Sequence, residues 1–117
     1  MAENAGLLIL LATGAYYFLS TSKGVPAFRD INGQVITQIM CGNTITFEVS
    51  GYTRVWLQRL KNGQLDYDAP FDLPMPPYIL SCVNDTGVYD VAVYEIDANE
   101  TKGKLIGQTK ITVTPQP

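Results

Sequence analysis

The chain of 117 residues contains no histidine, and charged residues make up only 16 % of it, below the roughly 25 % of an average soluble domain. Without histidine there is no Ser-His or Cys-His nucleophile pair, and the commonest metal ligand is missing. Two cysteines are too few for a structural zinc site. The net charge of −3 predicts no basic surface for nucleic acid. We therefore expect a non-enzymatic protein with no cofactor, no metal and no nucleic-acid partner.

Many of the apolar residues lie near the N-terminus, where residues 5–22 form an uncharged run of 18 residues before Lys23. As a helix this run is about 27 Å long, close to the roughly 30 Å hydrocarbon core of a bilayer. A helix without a polar face must be buried on all sides, and Gly24 and Pro26 are suited to end it. The sequence predicts a helix over residues 1–24 that spans a membrane or lies in the core of an assembly. The residues that we expect to face the membrane or the neighbouring subunits are Gly6, Leu7, Leu8, Ile9, Leu10, Leu11, Gly14, Tyr16, Tyr17 and Phe18.

Three interpretations of this segment remain. A cleaved secretory signal is disfavoured because Glu3 precedes the apolar run and no Lys or Arg does. A single-pass anchor would place the aromatic residues 16–18 at one membrane interface. A helix in a filament core would use its small residues to approach neighbouring helices closely. The predicted partners of the segment are accordingly a lipid bilayer, other subunits of a multi-chain assembly, or both.

From residue 25 the pattern changes to short alternating strands between turns, which is typical of an antiparallel sandwich. Asn62-Gly63 predicts a tight hairpin, because both central residues of a type I′ turn need positive φ. Four prolines between residues 69 and 77 indicate an edge strand or a crossover, because proline cannot donate to a sheet. The predicted strands cover residues 28–31, 35–39, 44–49, 54–60, 64–68, 78–83, 88–96 and 105–113.

The stretch Asp85-Thr86-Gly87-Val88-Tyr89 resembles the motif that leads into strand F of immunoglobulin-like domains. The resemblance implies a mainly β fold, an immunoglobulin-like antiparallel β-sandwich over residues 25–117, preceded by the one N-terminal helix. It also implies that Asp85, Gly87 and Tyr89 form a tyrosine corner, in which the Tyr hydroxyl bonds the backbone of the turn.

The same resemblance implies a set of core residues. Trp56 resembles the core tryptophan of the family's third strand. Val91 stands where family members carry one cysteine of their inter-sheet disulfide, and Phe47 or Ile45 fills the position of the other. Since none of these residues is a cysteine, we expect apolar packing to replace that bridge.

The two cysteines lie elsewhere, Cys41 just before the predicted strand 44–49 and Cys82 near the end of the predicted strand 78–83. In an immunoglobulin-like sandwich these two strand ends are neighbours, so the resemblance implies a Cys41–Cys82 bridge; two free, half-buried thiols are the alternative. A bridge requires an oxidising compartment. An oxidising compartment would place the β-domain outside the cytoplasm. Lys23 and Arg29 argue against that location, because the positive-inside rule predicts that the C-terminal side of the helix is cytoplasmic. We expect the β-domain outside the cytoplasm.

Other motifs have ordinary structural explanations. Asp66, Asp68 and Asp72 are close enough to suggest calcium, but an exposed acidic hairpin arm explains them better. Asn84 and Asn99 begin glycosylation sequons in predicted turns, where such residues are common anyway.

Three functions follow as hypotheses. The first is a non-enzymatic structural protein, a single-pass, membrane-anchored immunoglobulin-like subunit of a larger assembly such as a virion membrane or a membrane complex. The second is a pilin-like extracellular filament subunit that polymerises through its N-terminal helix. The third is a membrane-tethered adhesion or ligand-binding module, whose protein partner the sequence leaves unknown.

Overall fold

A computed structural model describes residues 8–11, 14–18 and 23–117 and confirms a mainly β protein, in which the strands from residue 26 onward form two facing sheets. The strands are β1 Leu8–Leu11, β2 Gly14–Phe18, β3 Pro26–Arg29, β4 Val35–Ile36, β5 Gln38–Met40, β6 Thr44–Val49, β7 Arg54–Lys61, β8 Gln64–Asp72, β9 Tyr78–Ile79, β10 Gly87–Ile96 and β11 Lys102–Thr114.

The two sheets differ in size. A five-stranded sheet has the order β5-β11-β10-β7-β8, and a four-stranded sheet has the order β4-β3-β6-β9. Neighbouring strands are antiparallel except β5, which runs parallel to β11. β8 is an edge strand of the five-stranded sheet. Pro70, which has no N–H to donate, is tolerated there because an edge strand has a neighbour on one side only.

Alternation along the strands builds the core between the sheets. In β6, Ile45, Phe47 and Val49 are buried while the residues between them are partly exposed, as the period of two in a strand requires. One buried cluster surrounds Cys41 and Ile45, and a second surrounds Phe47 and Val49. The interior of the sandwich thus contains two apolar clusters, and Phe28 and Met75 pack against both of them.

The Asn62-Gly63 turn joins β7 to β8 as the sequence predicts. Both residues have positive φ, 52° at Asn62 and 84° at Gly63, which is the requirement of a type I′ turn. The side-chain oxygen of Asn62 also accepts a hydrogen bond of 2.9 Å from the amide of Val88. The hairpin is therefore tied to the beginning of β10.

The helix predicted over residues 1–24 is not confirmed. In the described part of this segment, β1 and β2 form a two-stranded antiparallel sheet in which Leu8 is opposite Phe18. Gly6 and Leu7, with the other predicted helix positions at 1–5, 12–13 and 19–22, lie outside the described residues. Across residues 8–11, 14–18 and 23–117, no helix has the length and hydropathy needed to cross a membrane. Short, continuously apolar runs lack the periodicity that separates helix from strand.

Candidate functional site

The predicted Cys41–Cys82 disulfide is confirmed, with the two Cα atoms 5.0 Å apart. β6 and β9 are antiparallel neighbours, and Thr44 is opposite Ile79. This pairing brings the residues before β6 beside those after β9. The Cys41 side chain is completely buried, whereas Cys82 is exposed, so the bridge joins the core to the surface segment that follows β9.

The turn before β10 has the geometry of a tyrosine corner. The Tyr89 hydroxyl donates a hydrogen bond of 2.9 Å to the backbone carbonyl of Asp85. The Asp85 carboxylate in turn accepts one of 2.7 Å from the amide of Ser81. Gly87 has φ 145°, and a Cβ atom there would lie 3.0 Å from the amide group of Asn62. Only glycine combines that backbone conformation with so close an approach.

Of the three residues assigned to the core, Phe47 and Val91 are buried, but the assignment of Trp56 is corrected. In β7 the buried residues are Val55 and Leu57, so the half-buried Trp56 projects from the outer surface of the five-stranded sheet. Strand parity could have revealed this, because Trp56 shares its face with the polar residues Arg54 and Gln58.

Trp56 is the centre of an outer surface that we call the tryptophan face. Trp56 is directly opposite Tyr94 of β10 and Pro70 of β8, and directly opposed residues project on the same side of a sheet. The indole Nε1 donates a hydrogen bond of 2.6 Å to Asp68. The face consists of the outward residues Arg54, Trp56, Gln58, Leu60, Asp68, Pro70, Asp72, Asp90, Ala92, Tyr94, Lys102, Gln108 and Lys110.

Charged side chains surround this aromatic centre in pairs. The Lys102 ammonium lies 3.8 Å from an Asp68 oxygen and 5.1 Å from the centre of the Tyr94 ring. Arg54 is 2.8 Å from Glu100 and 3.5 Å from Asp72. The hydrogen bond and charge of Glu100 raise the pKa of Arg54 above its ordinary value. The acidic residues of β8 on this face therefore already have basic or indole partners.

The face also contains a hollow of about 310 Å³ beside the aromatic pair, lined by Gln58, Leu60, Asp90, Ala92 and Tyr94 among others. A hydrogen bond of 3.4 Å joins the Tyr94 hydroxyl to Gln58 at its border. Within the described part of the chain, no three His, Cys, Asp or Glu side chains are grouped to hold a metal ion. An aromatic centre within a polar, charged rim is the arrangement typical of a protein-binding surface.

No protein-family model, curated protein or solved structure matches this chain.

Proposed function

We propose that the protein is a non-enzymatic structural subunit, an immunoglobulin-like domain held in a membrane or an assembly core by its N-terminal apolar segment. The observation that carries this proposal is the uncharged run of 18 residues at positions 5–22. The run is followed by the sandwich after only a few residues, since β3 begins at Pro26. The strand order and the Tyr89–Asp85 contact support the immunoglobulin-like assignment.

Within hydrocarbon, we propose a helix for the apolar segment rather than the β1–β2 sheet. The two strands pair only with each other among the described strands. An open two-stranded sheet leaves the outer N–H and C=O groups of both strands unpaired, which costs several kcal/mol per group in a bilayer core. A helix satisfies these groups within the segment, so insertion favours the helix.

The first test uses the double variant Leu8→Arg/Leu11→Arg in the full chain. An arginine at the centre of a membrane segment costs about 3 kcal/mol, so two of them are expected to prevent stable insertion. After alkaline carbonate extraction of expressing cells, we expect the unchanged protein in the membrane pellet and the variant in the supernatant. Leu105→Arg is the matched control, because Leu105 is an exposed leucine of β11, and it is expected to stay in the pellet.

Electron microscopy of the extracted protein separates the remaining alternatives. Detergent-resistant fibres would replace the bilayer anchor with the filament subunit. Soluble, unassembled protein in the carbonate supernatant would contradict both anchoring hypotheses.

For the β-domain we propose that the tryptophan face packs against the same face of a second copy. The face carries both signs of charge, with Arg54, Lys102 and Lys110 near Asp68, Asp72 and Asp90. Two copies related by a twofold axis can therefore exchange ion pairs around their aromatic centres. Confinement of both copies to one membrane or assembly raises their effective concentration, so that a modest interface is sufficient.

The substitution Trp56→Ala tests this interface. Loss of a central tryptophan typically costs 2 kcal/mol or more, so the dimer dissociation constant is expected to rise about 30-fold. Energy transfer between labelled full-length chains in vesicles, measured against the protein-to-lipid ratio, reports this change. Ile31→Ala is the matched control, because Ile31 is a highly exposed apolar residue away from the face. Equal energy transfer in both variants would contradict the interface.

A further inference from the structure

A second cavity lies between the two sheets, away from the tryptophan face, and encloses about 270 Å³. Its floor contains buried residues of both sheets, among them Phe47 of β6 and Leu57 of β7, together with Leu80, which follows β9. Tyr67 and Phe71 of β8 and Tyr78 of β9 are at its border. We call this cavity the inter-sheet cleft.

The cleft results from the unequal lengths of the two edge strands. β8 has nine residues, whereas β9 has only two. The inward rings of β8 therefore extend beyond the strand that would cover them. Instead they contact other rings edge-on: Tyr67 to Phe71 at 6.0 Å and Phe71 to Phe47 at 6.5 Å between centres. The cleft walls are consequently aromatic and already in place.

Four charged side chains line the cleft, Arg59, Lys61, Asp66 and Asp85. Arg59 donates two hydrogen bonds, of 2.8 and 3.2 Å, to the carboxylate of Asp66. The Asp85 carboxylate accepts hydrogen bonds from the Tyr78 hydroxyl and from the amide of Ser81. The bond to Asp85 also raises the pKa of Tyr78. Both carboxylates therefore already accept two hydrogen bonds, on both oxygens of Asp66 and on one oxygen of Asp85.

Lys61 is different from these groups. Its ammonium donates to the backbone carbonyl of Asn84 and lies 5.7 Å from the centre of the Tyr89 ring. Among residues 23–117, no carboxylate forms an ion pair with it. An ammonium has three donors, so Lys61 can bind an additional anionic group at the cleft.

We propose that the inter-sheet cleft is a binding site for a small amphipathic anion, with its apolar body between the sheets and its charged group on Lys61. A cavity of roughly 150 Å³ is enough to bind benzene. The inter-sheet cleft is nearly twice that size, which suits a fused pair of aromatic rings or a short acyl chain. Aromatic walls add edge-on ring contacts to the burial of apolar area. This proposal is independent of how the protein is anchored.

Two probes are used: naphthalene-2-sulfonate represents a ligand with an aromatic body, and octanoate represents a ligand with an acyl chain. Binding is followed by two-dimensional NMR of the full chain in lipid nanodiscs, with shifts expected at the cleft residues Tyr67, Tyr78 and Tyr89. The probe that binds more tightly identifies which of these two kinds of ligand the cleft takes. 2-Naphthylmethylammonium has the same ring body with a cationic group, and methanesulfonate has the anionic group alone. Both are expected to bind at least tenfold more weakly than naphthalene-2-sulfonate.

Lys61→Met retains the aliphatic stem and removes the charge. A hydrogen bond to a charged group contributes about 1.5–3 kcal/mol, so anion affinity is expected to fall tenfold or more. Lys104→Met is the matched control, because Lys104 is an exposed lysine of β11 that does not line the cleft. The comparison of anionic and cationic probes uses the unchanged protein, so it remains informative even if a variant misfolds. Equal affinity for the anionic and cationic naphthalene probes, shifts confined to other surfaces, or no binding of either anion at millimolar concentration would overturn the proposal.

Discussion

Removing the disulfide by the double substitution Cys41→Ala/Cys82→Ala is expected to lower the free energy of unfolding by about 4 kcal/mol. The bridge closes a loop with a sequence separation of 41 residues, and the chain-entropy relation gives about 4 kcal/mol for a loop of that size. Small domains have only about 5–15 kcal/mol of stability in total. The loss is therefore a large fraction of what holds the sandwich together, and urea unfolding of the two proteins measures it.

Treatment with a reducing agent provides the control for this result. Reduction of the unchanged protein is expected to shift its unfolding midpoint toward that of the double variant, while the variant itself is insensitive to the reagent. The residual difference between them reports the packing of the sulfur atoms, since Cys41 is completely buried. If reduction leaves the unfolding midpoint of the unchanged protein in place, the bridge does not constrain the unfolded chain as argued.

The features that the sequence predicted correctly depend on local chemistry. Asn62-Gly63 supplies two residues that tolerate positive φ, so the hairpin can be placed without tertiary information. The bounds of β6 agree with the prediction because Ile45, Phe47 and Val49 alternate strictly with more polar residues. The cysteine pairing followed from the strand order of the immunoglobulin-like fold that the sequence resembles. Strand order does not depend on the exact bounds of the strands, so errors of several residues in those bounds do not change the predicted pairing.

The features that the sequence predicted poorly depend on competition between contacts. β9 was expected over residues 78–83 but has only two residues, because the chain turns at Ser81. The Ser81 hydroxyl accepts hydrogen bonds from the amides of Val83 and Asn84, and Asp85 captures the amide of Ser81. These side chains replace sheet partners. The short β9 in turn creates the inter-sheet cleft, which no motif in the sequence indicates.

The tryptophan face was missed for a related reason. The resemblance placed Trp56 in the core by analogy with a family position, whereas its own strand places Val55 and Leu57 there. The pairing of β7 with β8 and β10 then puts Asp68 and Tyr94 beside the indole. Such a surface is assembled from two separate pairs of consecutive strands, β7–β8 and β10–β11, so only the register of the sheet reveals it.

Phe47→Ala is expected to lower the free energy of unfolding by about 3–5 kcal/mol, the usual cost of truncating a buried phenylalanine. Phe47 is among the most completely buried side chains, and its ring lies 4.7 Å from that of Phe28 and 6.5 Å from that of Phe71. The ring thus fills the space between β3 of one sheet and β8 of the other. Urea unfolding, analysed with the slope as well as the midpoint, measures the effect.

Phe71→Ala is the matched control for that substitution, since it removes the same atoms from a half-buried ring at the cleft border. We expect less than half the loss of stability, because part of the Phe71 ring is already in contact with solvent and leaves a smaller enclosed void. Phe47→Leu, which removes fewer atoms than Phe47→Ala and leaves a smaller void, is expected to cost less than Phe47→Ala. This order distinguishes a ring that supports the core from one that borders a cavity. If Phe71→Ala were as destabilising as Phe47→Ala, Phe71 would be a core residue, and the space beside it would be closed to ligands rather than open to them.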